Sequence, residues 1–258
     1  TTILRKAISL KSDHAEAYNN LGTVFQNQGK LEEAIEEYKK AINFAPDYAN
    51  AFFNLGNVFE KQHNFDKAIE NYKNAILLRP EDHEAHNNLG IVQKKSGKYE
   101  EAIASYTNAI RLKPDYAIAH NHLGTVLLDQ CKFEESEISL KRAITLNPEN
   151  ADFHNNLGIV FSRQGKFDEA LENYNIAIEL KPEDFRIHAS RGSVLNELGR
   201  LEEALLSCKK SLSLNPQYAE AYNNLGTILH KKGEFDEAVA VYKNAIELKP
   251  EDYRVHSN

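Results

Sequence analysis

The sequence contains no methionine and only two cysteines among its 258 residues, and no hydrophobic run in it is long enough to cross a membrane. A membrane-spanning helix needs about 18 or more consecutive apolar residues, and a secretory leader has a shorter apolar stretch behind basic residues. Neither pattern occurs, which argues against membrane insertion and against secretion. The 31 basic and 38 acidic residues give a formal net charge of −7, which repels a phosphate backbone. We therefore expect a cytoplasmic or nuclear protein that does not bind nucleic acid.

The sequence has two cysteines, Cys131 and Cys208. A complete repeat separates the two in the register described below, and neighbouring helices pack about 8–10 Å apart. A disulfide requires Cα atoms within about 7 Å of each other, so we expect two unpaired thiols. No cluster of histidine and cysteine residues accompanies either of them, and the sequence predicts neither a metal site nor a catalytic thiol.

Proline and glycine are also scarce, and both are confined to fixed positions. All seven prolines recur every 34 residues from Pro46 to Pro250, and seven of the twelve glycines keep the same step from Gly22 to Gly226. Each of the other five glycines follows one of those seven by seven residues. No glycine remains for a phosphate-binding loop, and no serine or cysteine lies in a recognisable nucleophile motif. The sequence therefore predicts a repeat array that binds other molecules, with no enzyme activity and no cofactor.

Seven repeats of 34 residues cover residues 15–252 without an insertion, and we number the places of each repeat from 1 to 34. The segment 1–14 aligns with the second helix of a truncated repeat, and the segment 253–258 begins a further repeat. Neither end carries the polar cap that a free array needs, so we expect a single array that is part of a longer one. The repeats are 15–48, 49–82, 83–116, 117–150, 151–184, 185–218 and 219–252.

Each repeat contains two amphipathic patterns with helical spacing. Apolar or small residues occupy places 4, 7, 8, 10 and 11 in the first pattern and places 17, 20, 21, 24, 27 and 28 in the second. These steps of three and four residues mark one face of an α-helix. Glycine at place 15 can end the first helix in the left-handed conformation, and proline at place 32 cannot continue the second helix. The sequence therefore predicts an all-α fold of paired helices, which approach closely at their small residues.

The fifth repeat contains, in order, His154, Leu157, Gly158, Phe161, Ala170, Tyr174, Ala177 and Pro182. This order of residues resembles the tetratricopeptide repeat family. The family pattern is an aromatic residue, Leu-Gly, an aromatic residue, Ala, an aromatic residue, Ala and Pro. The resemblance covers residues 15–252 and implies a right-handed superhelical solenoid of antiparallel helical hairpins, in which the first helix of each repeat lines a concave groove.

Asparagine is unusually frequent in the middle of the first helices, at places 5 and 6. It is a mediocre helix former, so another requirement must keep it there. A carboxamide offers donors and an acceptor that match a peptide bond, and repeats stacked about 10 Å apart would present one for about every three residues of an extended chain. We therefore predict a groove that binds an extended or disordered protein segment. Its candidate residues are Asn20, Asn54, Asn88, His122, Asn156, Ser190 and Asn224 at place 6, and Asn19, Asn87, Asn121, Asn155 and Asn223 at place 5.

The same asparagines have a second interpretation, in which they bridge adjacent repeats by hydrogen bonds and only shape the solenoid. The amide ladder is also similar to the repeat arm of protein O-linked N-acetylglucosamine transferases, which implies, as an alternative function, the substrate-recruiting arm of such an enzyme. A further alternative is a structural scaffold that self-associates end to end through its uncapped ends. Lysine is absent from place 5, which argues against the carboxylate clamp that binds the tails of Hsp70- or Hsp90-type chaperones in some members of the family.

Two features depart from the family pattern. Arg191, Cys208 and Ser211 replace leucine, an aromatic residue and alanine in the sixth repeat, and a charged residue in a packing place is costly, so we expect this repeat to be the least stable. Histidine stands at place 4 in four successive repeats and in the partial repeat 253–258. These histidines are at least one repeat apart and too distant to share a metal. We expect half-buried packing residues at His86, His120, His154, His188 and His256.

Overall fold

The computed structural model describes residues 15–248, and every regular element in that part of the chain is an α-helix. In each repeat one helix occupies places 1–13 or 1–14 and a second helix occupies places 17–30, so the predicted all-α fold of helical hairpins is confirmed. The predicted helix in 1–14, the partial repeat 253–258 and His256 lie outside the described residues. No helix within residues 15–248 is both long and apolar enough to cross a membrane. The helices are α1 (Ala15–Asn27), α2 (Leu31–Phe44), α3 (Ala49–Lys61), α4 (Phe65–Leu78), α5 (His83–Lys95), α6 (Tyr99–Leu112), α7 (Ala117–Asp129), α8 (Phe133–Leu146), α9 (Ala151–Arg163), α10 (Phe167–Leu180), α11 (Phe185–Glu197), α12 (Leu201–Leu214), α13 (Ala219–Lys232) and α14 (Phe235–Leu248).

The chain divides into two compact units, with the division between Val126 and Leu127 inside α7. In the first unit, α1 pairs with α2, α3 with α4 and α5 with α6, and successive hairpins join where α2 packs on α3 and α4 on α5. In the second unit, α9 pairs with α10, α11 with α12 and α13 with α14, and the contacts between hairpins are α8 on α9, α10 on α11 and α12 on α13. Within each unit, a hairpin therefore packs mainly on its neighbours in the chain, as in other repeat arrays.

A residue with a left-handed backbone at place 15 reverses the chain after each first helix. Glycine takes this position in five repeats, with φ between 72° and 82°. His63 and Cys131 take it in the other two, with φ of 57° and 56°, where a residue with a Cβ is strained by about 1–2 kcal/mol. Cys131 is exposed at its turn and Cys208 is buried, and both thiols are free.

The two helices of a hairpin pack together where a place-8 glycine faces a place-24 tyrosine. The rings of Tyr38, Tyr72 and Tyr174 are buried, and a Cβ added to Gly158 would lie 2.6 Å from Cε1 of Tyr174. A larger residue at place 8 would force the helices apart, which is the physical reason for the glycine that the sequence repeats there. Apolar clusters around these contacts form the core of each unit.

The sixth repeat fills the equivalent positions with other residues. Cys208 is fully buried opposite the place-8 glycine, and burial raises the pKa of its thiol to about 12. The buried Ser211 hydroxyl donates to the carbonyl oxygen of Phe185 at 2.7 Å. Arg191 is half-buried, and its Nη1 donates to Ser207 Oγ at 3.0 Å, whereas its buried Nε has no partner among the described residues. A buried donor without a partner lowers stability, but the lower stability of this repeat stays a prediction.

The place-4 histidines make a hydrogen bond that the sequence pattern did not reveal. Their Nε2 atoms lie 2.8–3.1 Å from the carbonyl oxygen of the proline six residues earlier, and because a carbonyl only accepts, Nε2–H is the donor. Two of the rings are half-buried as expected, and two are buried. Within residues 15–248, no group of histidine, cysteine and carboxylate side chains is arranged to hold a metal ion. The half-buried pair is His86 and His120, and the buried pair is His154 and His188.

Candidate functional site

The predicted binding residues lie on one face of the first helices, which comprises places 2, 5, 6, 9, 12 and 13 and is called the first-helix face below. At place 5, Asn223 is half-buried and the other four predicted asparagines are buried, with 3–9% of their surface exposed. At place 6, Asn20 is exposed and the other six predicted residues are half-buried. Place 6 is therefore more exposed than place 5, where most of the asparagines are buried. The buried residues are Asn19, Asn87, Asn121 and Asn155, and the half-buried residues of place 6 are Asn54, Asn88, His122, Asn156, Ser190 and Asn224.

In the first unit, place-6 side chains donate hydrogen bonds to the preceding repeat. Asn54 Nδ2 donates to Asn19 Oδ1 at 2.9 Å, and His122 Nδ1 lies 2.9 Å from Asn87 Oδ1. Contacts of this kind are the ones that the bridging interpretation expects. The bond from Asn54 uses one donor of its carboxamide and leaves the amide oxygen for the first-helix face. Asn88 differs, because its amide oxygen already accepts from Asn87 Nδ2 at 3.3 Å.

His122 differs from the asparagines at place 6 in the hydrogen-bonding atom that it leaves available. Because the Asn87 amide oxygen can only accept, Nδ1 carries the hydrogen and Nε2 remains an acceptor. Burial, together with the positive charge of Lys94, lowers the pKa of His122 to about 4. The ring is therefore neutral at pH 7 and presents an acceptor only.

The hydroxyls of the buried place-24 tyrosines reach the first-helix face past the place-8 glycines. Tyr38 Oη donates to Gln26 Oε1 at 2.8 Å, and Tyr72 Oη donates to Asn57 Oδ1 at 2.7 Å. Asn57 Oδ1 also accepts from Asn88 Nδ2 at 3.3 Å, so one amide oxygen links both helices of a hairpin to the next repeat. Sequence reasoning treated these tyrosines as packing residues, although the glycine opposite each ring was a signal that the hydroxyl could pass between the helices.

In the second unit, three first helices border a cavity of about 590 Å³. The helices are α9, α11 and α13, from three successive repeats. The predicted residues Ser190, Asn223 and Asn224 line the cavity together with apolar groups of Ile159 and Phe167. The two predicted asparagines of the fifth repeat do not line it. Ligand sites commonly have volumes of about 300–1,000 Å³ and combine apolar walls with a few polar groups. The size and the composition of this cavity fall within that description.

Polar groups in the cavity wall are already partly oriented by the protein. Asn224 Nδ2 donates to the carbonyl oxygen of Ala189 at 3.3 Å, and Ser190 and Tyr174 line the same wall. Burial raises the pKa of the Tyr174 phenol, which keeps it protonated at neutral pH. The Asn224 amide is thus held in place before a ligand arrives, which reduces the entropy lost on binding.

Charged residues stand around the same cavity. Arg163, Glu197 and Glu220 line it, and Glu220 accepts a hydrogen bond from the Tyr218 hydroxyl at 2.9 Å. None of the three forms an ion pair with another of the described residues. Glu197 was not singled out from the sequence, since its position in the wall depends on how successive repeats stack.

A cavity of about 540 Å³ in the first unit lies at the interhelix turns instead of on the first-helix face. Its wall includes His63, Asn64 and Ser96, and it also includes Asp66 and Lys98, whose side chains form an ion pair of 3.4 Å. No predicted binding residue lines this cavity. The predicted binding residues therefore do not meet at this cavity.

Comparison with family models decides the family. The model described as the Cilia and flagella-associated protein 70 C-terminal domain matches residues 62–257. The chain belongs to this family of tetratricopeptide repeat (TPR) domains. Two models of TPR repeats match residues 24–63 and 3–36. The TPR fold is generally a non-catalytic interaction module, and the chain is a protein–protein interaction scaffold of this class.

Solved TPR structures share the fold of the chain. A TPR protein from Parabacteroides merdae is 19% identical, with a TM-score of 0.78 over 94% of this chain and 96% of that chain. The APC/C hetero-tetramer Cut9-Hcn1 is 20% identical, with a TM-score of 0.74 over 88% of this chain and 45% of that chain, so this chain spans less than half of its length. YrrB, a TPR protein described as having an unusual peptide-binding site, is 25% identical, with a TM-score of 0.56 over 73% of this chain and 97% of that chain. No curated protein sequence matches the chain.

Proposed function

We propose that this TPR chain binds an extended segment of another polypeptide on its first-helix face. The observation that carries the proposal is the cavity of the second unit, where Ser190, Asn223 and Asn224 meet the apolar groups of Ile159 and Phe167. An extended segment places successive side chains on opposite sides, so one side chain can enter a cavity while the main chain runs across its mouth.

The place-6 side chains are proposed to bind the main chain of the segment. The amide oxygens of Asn54 and Asn224 have no hydrogen-bond partner among the described residues, and each can accept from a peptide N–H. Their Nδ2 atoms are tied to the preceding repeat, which holds each carboxamide in one orientation. The bridging and binding interpretations of these asparagines are therefore compatible, because the bridge prepares the acceptor.

The similarity to YrrB supports the class of ligand. That protein is described as having a peptide-binding site and is 25% identical to this chain with a TM-score of 0.56. A repeat array offers a long surface made of similar units, which suits a polypeptide better than a compact small molecule. We carry over from YrrB only the expectation of a peptide ligand.

A substitution that fills the cavity tests the proposal. Ser193 lines the cavity and is half-buried, so Ser193→Trp would fill the space without changing the charge. The probe is a phage-displayed library of random peptides of about 12 residues, which span about 40 Å when extended. We expect wild-type protein to select peptides that bind Ser193→Trp at least about tenfold more weakly. The matched control is Ser213→Trp, at an exposed position of α12.

Circular dichroism and thermal melting of both variants separate a lost site from a lost fold. Equal binding by the two tryptophan variants would mean that the cavity is not part of the peptide site. Failure of the wild-type protein to select any peptide would overturn the proposal that extended segments are its ligands.

A further inference from the structure

The charged side chains that line the cavity of the second unit do not balance. Arg163 lies in the last turn of α9, Glu197 ends α11 and Glu220 lies in the first turn of α13. Every other lining residue is uncharged. One guanidinium and two carboxylates leave the wall with an excess of one negative charge.

Neither carboxylate is matched by a cation of the protein. Within the part of the chain that the structure describes, Glu197 makes no hydrogen bond or ion pair, and Glu220 accepts only from the neutral Tyr218 hydroxyl. Another acid of the same unit, Asp184, accepts from Arg186 Nη2 at 2.6 Å. The two cavity carboxylates are exposed and are thus available to a ligand.

The positive charge of Arg163 restricts where in the cavity a cation can bind. Arg163 occupies place 13 of the fifth repeat, and Glu197 occupies the same place in the sixth. The positive charge of Arg163 repels a cationic ligand group from the fifth repeat, whereas Glu197 and Glu220 attract it toward the sixth and seventh. The apolar side of the cavity, at Ile159 and Phe167, can accept methylene groups.

We propose that this cavity selects polypeptide segments that carry a lysine or arginine side chain, whose charged head binds Glu197 or Glu220 while its aliphatic stem packs on Ile159 and Phe167. The inference rests on the proposed function and adds the chemistry of the bound residue. Long basic side chains bury their methylenes on apolar surface and keep the charge in water, which fits a cavity with apolar walls and exposed carboxylates. An acidic side chain at the same position is repelled by the excess negative charge.

Peptides selected from the random library by wild-type protein are the probe for this inference. We expect a basic residue at one position of the selected peptides, and we expect its replacement by norleucine to weaken binding about tenfold at low salt and less at high salt. The double variant Glu197→Gln/Glu220→Gln keeps the size of both side chains and should bind the basic and norleucine peptides alike. The control Glu172→Gln/Glu179→Gln removes two charges from exposed positions of α10 and should keep the tenfold preference.

The outcomes separate this inference from the proposed function. Selected peptides that lack a common basic residue, or that keep their preference for it on Glu197→Gln/Glu220→Gln, would overturn the charge selection and leave peptide binding intact. A wild-type protein that selects no peptide would overturn both. Loss of the preference in the cavity variant and its retention in the α10 control would support the inference.

Discussion

The fifth and sixth repeats adjoin in the second unit and form the same hairpin around different interiors. At places 7 and 24 the fifth repeat has Leu157 and Tyr174, where the sixth has Arg191 and Cys208. Both repeats have a first helix of 13 residues and a second helix of 14 residues. In both, a Cβ added to the place-8 glycine would lie 2.6 Å from the facing side chain. The hairpin geometry therefore follows from the spacing of glycine, proline and small residues, and it tolerates a change in the groups that it encloses.

The two repeats differ in what stabilises them. Burial of the Tyr174 ring contributes through apolar contact, which is worth about 25 cal/mol for each Å² removed from water. The smaller Cys208 side chain gains less in this way, and the sixth repeat relies more on polar contacts such as the bond from Ser211 to the Phe185 carbonyl oxygen. We infer that the fifth repeat is stabilised mainly by packing, whereas the sixth depends more on hydrogen bonds and on its neighbours.

Truncation of the side chain that faces the place-8 glycine should give the largest difference in unfolding free energy between the two repeats. Tyr174→Ala leaves a cavity beside Gly158 and is expected to cost about 4 kcal/mol of unfolding free energy, whereas Cys208→Ala should cost about 1 kcal/mol. Hydrogen exchange of α9 to α12, together with urea unfolding, measures both, because a repeat array need not unfold in one step. Similar losses in the two variants would contradict the assignment of packing to the fifth repeat.

The ion pair between the two repeats should have the next largest effect on the free energy of unfolding. Asp184 is buried at the end of the fifth repeat, and the guanidinium of Arg186, which donates from Nε and Nη2 at 3.0 and 2.6 Å, holds the pKa of its carboxyl at about 2. Because the folded-state pKa is lowered, the stabilisation is complete above the unfolded pKa of about 4 and is lost as the pH falls toward about 2. We expect a loss of about 2 kcal/mol across this window.

Urea unfolding at about pH 5 and about pH 2 measures that loss, with variants to isolate it from other carboxylates. Arg186→Gln should show a smaller loss than wild type. Arg200→Gln, which breaks an exposed pair with Glu203, should behave like wild type. If Arg186→Gln has the pH dependence of wild type, then Arg186 does not hold the Asp184 carboxyl in its charged form.

Restoring leucine at place 7 of the sixth repeat should give the smallest of these effects. Arg191→Leu removes a buried Nε that has no partner among the described residues and adds apolar contact, so we expect a gain of about 1 kcal/mol. Slower hydrogen exchange in α11 and α12 would report the gain. Arg142→Leu, at an exposed position of α8, is the control. A destabilised Arg191→Leu would show that the guanidinium supports the repeat, and the prediction of a weak sixth repeat would then lose its basis.

The helical hairpins could be predicted because their determinants are local. A glycine such as Gly29 that ends the first helix and a proline such as Pro46 that stops the second act within a few residues, and the apolar spacing is visible in any single repeat. The free thiol at Cys208 and the close approach at place 8 follow from the same register. The alternatives of a glycosyltransferase arm and of an end-to-end scaffold stay predictions.

The candidate site was less predictable because it depends on contacts between repeats. Adjacent asparagines such as Asn87 and Asn88 have the same chemistry, and the burial of place 5 below place 6 becomes visible only when the next repeat is stacked on the helix. The wall formed by Glu197 and Glu220 likewise joins two repeats. A pattern read within one repeat contains no information about such pairs.

The bond from the place-4 histidines to the proline carbonyl oxygens has a consequence for how this chain can evolve. The acceptor, such as the Pro148 oxygen that lies 2.9 Å from His154 Nε2, belongs to the main chain and is present whatever residue occupies that position. Mutational drift in the side chains of the connecting turns therefore leaves the acceptor in place, whereas a change of histidine to phenylalanine removes the donor. This bond therefore constrains the imidazole alone, and the recurrence of proline at place 32 has a separate cause, which is that proline ends the second helix.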